Sequence, residues 1–138
     1  MQSRRVKLYA TKKNIELLGY QREAMQLRTE LDRLSQRIEQ VRQLLEGYHQ
    51  QMAMPEMTGT EYMTIVDIYH RLSERRRFDE SRFEVLDAER ARLTCIMIQK
   101  KREVEKLEDK AKVLRIQEIE EKDEKAQKIL PAPRPRSL

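Results

Sequence analysis

Residues 17–59 read LLGYQREAMQLRTELDRLSQRIEQVRQLLEGYHQQMAMPEMTG. Counted alternately by threes and fours, Leu17, Tyr20, Ala24, Leu27, Leu31, Leu34, Ile38, Val41, Leu45, Tyr48 and Met52 fall on one line, and each is apolar or a tyrosine. Such an alternation kept for five heptads is the spacing of a coiled-coil seam, because a helix gathers those positions into one stripe. Arg, Glu, Gln and Asp fill the positions between, as on a solvated face. Continued backwards, the count meets Lys13, Ala10 and Val6, so the stripe weakens toward the N-terminus. Gly19 and Gly47 interrupt it at a cost of about 1 kcal/mol each relative to Ala, too little to break so long a helix.

The pattern stops at Met54-Pro55-Glu56-Met57-Thr58-Gly59, where Pro and Gly mark a turn. Thr60 is the expected N-cap of a second helix, with Glu61 in its first turn. A second frame then runs through Tyr62, Ile65, Tyr69, Leu72, Arg76, Asp79, Phe83, Leu86, Arg90, Leu93, Met97, Lys100, Val104, Leu107, Ala111 and Leu114. Its charged members Arg76, Asp79, Arg90 and Lys100 cost stability and fix register; Arg and Lys can bury their stems. The spacing predicts an all-α chain, an antiparallel two-helix coiled-coil hairpin with a C-terminal helix extension. The first helix is expected over 3–53, the turn over 54–60, the second helix over 61–128, and a flexible basic tail over 129–138. An arm of roughly 50 residues is about 75 Å long. In the expected register Val41 faces Leu72, Leu31 faces Phe83, Tyr20 faces Leu93 and Val6 faces Leu107. Arg76 and Asp79 then lie opposite Ile38 and Leu34, free to pair across or along the seam. Residues from Leu114 to about Lys128 have no partner on the first helix.

Composition narrows the function. Charged residues make up 38% of the 138 residues and aromatics 5%, with no Trp, which suits a narrow seam and not a globular core. The regular apolar spacing argues against general disorder, the other reading of so charged a chain. The net charge of +5 is spread among interleaved charges of both signs, whereas a nucleic-acid binder shows a one-signed face. One cysteine, Cys95, allows no internal disulfide and fits a reducing compartment; beside the seam it reads as a small packing residue. No apolar run approaches a membrane span and no signal core follows the basic start, so a cytoplasmic protein is expected. His49 and His70 with a single cysteine lack zinc-ligand spacing, so no metal site and no cofactor is expected. Phosphate-loop motifs are missing, and a two-helix hairpin offers no pocket that would shift the pKa of its many carboxylates. The chain therefore reads as a non-enzyme.

Three features exceed what a hairpin needs. Tyr62, Met63, Ile65, Val66, Ile68 and Tyr69 make the start of the second helix apolar on more than one side. That stripe is either a binding surface or is covered by the Met-rich loop of Met52, Met54 and Met57. Arg4, Arg5, Lys7, Lys12 and Lys13 precede the first acid, Glu16, and suit an acidic partner surface as well as they suit an ordinary helix end. The extension carries Ile116 and Ile119, which either join a further chain or sit on a frayed single helix.

This layout resembles the small stalk proteins of type III secretion, the FliJ/YscO family of flagellar and injectisome export. The resemblance is one of layout, without a diagnostic motif, and covers nearly the whole chain. It rests on a short charged hairpin, a basic N-terminal segment, a tyrosine-bearing start to the second helix from Tyr62 to Tyr69, and a second helix longer than the first. It implies a monomeric protein at the cytoplasmic face of the secretion apparatus that promotes assembly and activity of a hexameric export ATPase. It further implies a link to the cytoplasmic domain of the membrane export gate and, in some members, contact with export chaperones. By layout, Arg4, Arg5, Lys7, Lys12, Lys13, Arg115, Ile116 and Ile119 would face the ATPase, and Tyr62, Met63, Val66, Tyr69 and Leu72 the gate. Neither nucleic acid nor membrane insertion belongs to this reading. A cytoplasmic coiled-coil chaperone or adaptor is the alternative.

Overall fold

The computed structural model describes residues 1–129. Among them are two helices, α1 (Gln2–Met52) and α2 (Gly59–Ile129), packed against each other as an all-α helical hairpin. The flexible tail expected over 129–138 lies outside the described residues, except for Ile129, which closes α2.

The count by threes and fours describes α1 completely. From Ser3 through Val6, Ala10, Lys13 and Leu17 to Met52, every frame residue is buried or half-buried, and every other residue of the helix is exposed. One row of side chains suffices because a two-helix contact covers only one stripe of each partner. On α2 the frame holds with two departures. Tyr62 is 45% exposed, and Arg90 turns out of the seam, its Nε donating to Asp87 at 2.9 Å. Beside the frame, Val66, Ser73, Glu80, Asp87 and Thr94, each one residue after a frame position, are also half-buried, as are Ile68, Glu89, Ile96 and Glu103, each one residue before one. The covered stripe of α2 is therefore wider than that of α1.

The turn closes on a cap two residues earlier than expected. Thr58, not Thr60, is the N-cap: Thr58 Oγ1 accepts from the Glu61 amide at 3.2 Å, and Glu61 Oε2 accepts from the Thr58 amide at 3.4 Å. This reciprocal pair is a capping box, which satisfies two amide donors that the helix itself leaves free. Thr60 instead contributes its carbonyl to the Thr64 hydroxyl.

The chain divides into two compact units. The first joins Met1–Gly19 to the part of α2 from Met97 onward; the second, Tyr20–Ile96, contains the turn. In the first unit the core is Ala10, Leu17, Val104 and Ala111, and in the second it is Leu31, Leu34, Val41, Leu45 and Leu93. In the second unit Asp79 is fully buried, the one buried polar residue of the described chain. It does not pair with Arg76, whose Nε donates to Glu80 at 2.8 Å. Asp79 Oδ1 faces Arg75 at 3.5 Å and Arg37 across the seam at 3.8 Å, and neither carboxylate oxygen accepts a hydrogen bond.

Candidate functional site

In the first unit, small side chains open the surface. Ala10 and Ala111 are 3% and 8% exposed, yet neither has the volume to fill the space between the helices. A groove of about 760 Å³ results, walled by Ser3, Arg4, Lys7, Arg115 and Ile119 and floored by these alanines. It gathers cations from opposite ends of the sequence: Arg4 and Lys7 come from α1, Lys112 and Arg115 from α2. No ion pair among the described residues involves Arg4, Arg5, Lys7 or Lys12. Of the residues expected to face an ATPase, Arg4, Lys7, Arg115 and Ile119 therefore share one groove. Arg5, Lys12 and Ile116 are exposed outside it, Ile116 at 57%. Lys13 is set apart: it is half-buried in the seam, 3.7 Å from Glu16, and its ammonium lies over the Tyr9 ring at 5.5 Å from the centroid.

Pairing between the helices extends beyond Leu114, where the first helix was expected to run out. Glu118 accepts from the Met1 amino group at 2.8 Å, the Ser3 amide at 3.0 Å and the Ser3 hydroxyl at 2.6 Å. The carboxylate thus sits at the positive end of α1, where a negative charge is stabilised. Bonds from the amino terminus and then from Ser3 lower its pKa from 4.5 to about 2. Because the folded pKa is the lower one, the stability this charge contributes is complete above 4.5 and is lost as pH falls through about 2. Glu118→Gln is therefore expected to lower the melting temperature at neutral pH, with the deficit shrinking on acidification across that window. A deficit unchanged between neutral pH and about pH 2 would show that the charge contributes nothing.

In the second unit, the residues expected to face the export gate divide by burial. Tyr69 and Leu72 turn toward the seam, where the Tyr69 ring lies 6.4 Å from that of His49, tilted by 41°. Val66 is half-buried. Tyr62 and Met63 stay exposed, and Met54 of the turn is exposed beside them in sequence. The Met-rich loop does not cover Met63, which keeps 68% of its surface. The second unit also exposes Phe78 and Val85, spaced seven apart on α2, with the Arg75 guanidinium over the Phe78 ring at 5.6 Å.

The sequence reading missed several exposed apolar residues in the first unit: Leu8, Tyr9, Ile15 and Leu18 on α1, and Ile98 and Val113 on α2. The available signal was a second row of threes and fours, Leu8, Thr11, Ile15 and Leu18, two residues behind the buried frame. Cys95, expected to pack, is exposed. Among the described residues no group of His, Cys, Asp and Glu is arranged to hold a metal ion, and no helix is long and apolar enough to cross a membrane. No protein-family model, curated protein or solved structure matches the chain.

Proposed function

We propose that the chain is the central stalk of a type III export apparatus, promoting assembly and activity of the hexameric export ATPase and linking it to the membrane export gate. The observation that carries the reading is the groove of the first unit, where Arg4, Lys7 and Arg115 gather beside Glu108 and Glu118 without forming an ion pair with either. Exposed guanidinium and ammonium groups of this kind form weak, screened contacts of about 0–1 kcal/mol each with acidic side chains. Such contacts let a stalk engage successive subunits of a ring without locking to one. Tyr62 and Met63, exposed at the start of α2, are the contact to the gate. The cytoplasmic face of the apparatus is the place where both partners are met.

The test is ATP turnover and oligomeric state of a hexameric export ATPase from the same cell, with and without this protein. Wild-type chain is expected to raise turnover and promote hexamers. Arg4→Glu, Lys7→Glu and Arg115→Glu together are expected to abolish the effect, with helicity by circular dichroism unchanged because all three side chains are exposed. Stimulation untouched by the triple substitution would remove the groove from the mechanism. A wild-type chain without effect at any ratio would remove the stalk reading and leave the chaperone reading, which the exposed Met54 and Met63 favour.

A further inference from the structure

α1 carries a second apolar row within the first unit. Leu8, Ile15 and Leu18 are 63%, 64% and 49% exposed, and Thr11 completes the row at the same 3-and-4 spacing. Each lies two residues behind a buried frame position, Ala10, Lys13, Leu17 or Tyr20. On a helix with 3.6 residues per turn, such an offset points to the opposite side. Leu8, Ile15 and Leu18 are therefore not an overflow of the seam with α2, and they lie outside the groove between the helices, whose edge Arg4 and Thr11 reach. The Thr11 hydroxyl donates to the Lys7 carbonyl at 3.0 Å, so its polar group is satisfied within α1.

The charges around the row have one sign. Arg4 continues it toward the N-terminus, and Arg5, Lys7 and Lys12 border it; none forms an ion pair among the described residues. The single acid of residues 1–19, Glu16, is turned to other work, facing Lys100 at 3.5 Å and Lys13 at 3.7 Å. Heptad-spaced apolar positions flanked by unpaired cations are half of a heterotypic coiled coil, in which flanking charges choose the partner.

We propose that the outer face of α1 between Arg4 and Leu18 docks an amphipathic helix of a partner protein that carries acidic residues beside its apolar row. A second copy of this chain fits less well, since pairing this face with itself sets Arg5, Lys7 and Lys12 against like charges. A membrane fits less well because the row is one residue wide, whereas an interfacial helix buries a broad face. The proposal goes beyond the stalk reading and does not depend on it, since its readout contains no ATPase.

The probe is a labelled synthetic peptide of about three heptads with Leu and Ile at a and d and Glu at e and g, whose like charges keep it from pairing with itself at neutral pH. Its binding to the full chain is read by fluorescence anisotropy, with a Lys-flanked peptide of the same core as the control. The Glu-flanked peptide is expected to bind saturably and the control at least about tenfold more weakly. Ile15→Glu with Leu18→Glu is expected to weaken binding by about tenfold or more, and Lys7→Glu with Lys12→Glu to do likewise. All four side chains lie off the buried core, so helicity should be retained; Leu8→Glu supplies an independent variant should either pair perturb the fold. Absent binding, equal binding of both peptides, or binding indifferent to all these substitutions overturns the proposal. So does sedimentation showing a self-dimer that Ile15→Glu dissolves, or retention of the chain on phosphatidylserine-containing vesicles that the same substitution abolishes.

Discussion

Asp79→Leu is expected to stabilise the chain by about 1–4 kcal/mol, the range seen when buried charges are replaced by well-packed apolar residues. Asp79 has no exposed surface, and neither carboxylate oxygen accepts a hydrogen bond. Its nearest cations are Arg75 at 3.5 Å and Arg37 at 3.8 Å, both about half exposed, so water screens their attraction while the carboxylate bears its full desolvation cost. Leucine is the residue the frame calls for at that position, beside the buried Leu34 that lines the same cavity. Urea or thermal unfolding followed by circular dichroism measures the change, and a variant that melts below wild type would refute the argument. The cations give a second check. Arg37→Ala with Arg75→Ala is expected to destabilise the wild-type chain by stripping Asp79 of compensation, and to be close to neutral in the Asp79→Leu background. Equal costs in the two backgrounds would mean that the arginines act elsewhere.

A charge kept at such expense has a physical use in fixing register. An all-leucine seam can slide by one heptad at little cost, whereas Asp79 must stay within reach of Arg37. The same residue explains why α2 was harder to read than α1. On α1 the spacing alone gives every covered residue, because its frame is apolar almost throughout and a two-helix contact covers one stripe. On α2 the frame passes through Arg76, Asp79 and Arg90, which have three different fates: Asp79 is buried, Arg76 is half-buried, and Arg90 swings out to Asp87. Spacing marks the position, but burial of a charged side chain depends on which counter-charges lie nearby, and those come from both helices, Arg37 from α1 and Arg75, Glu80 and Asp87 from α2.

The candidate sites divide along the same line. That Arg4, Lys7 and Arg115 carry the basic character of the first unit was legible from charge. That they surround one groove was not, because the groove depends on Ala10 and Ala111 being too small to fill the space between helices. The Thr58 cap was present in the sequence as Thr-x-x-Glu and lies two residues from the expected Thr60. The Ser3–Glu118 contact depends on where the two helices end relative to each other, which no local pattern encodes. The outer row of Leu8, Ile15 and Leu18 becomes meaningful only once the buried frame shows which face of α1 is already covered.

Leu93→Ala is expected to destabilise the chain by about 2–5 kcal/mol, the cost of lost transfer energy plus the cavity left behind. Leu93 is 2% exposed, the most deeply buried apolar side chain of the second unit, and sits between Arg90, which has left the seam, and Met97. Val85→Ala provides the contrast, since Val85 is 69% exposed and its truncation is expected to change stability by no more than about 0.5 kcal/mol. Arg90→Ala should behave like Val85→Ala and not like a seam residue, because its side chain bonds Asp87 on the surface and not the facing helix. The three unfolding midpoints together test the packing directly. If Arg90→Ala costs as much as Leu93→Ala, then Arg90 lies in the seam in solution and the uninterrupted frame read from the sequence is the better account of α2.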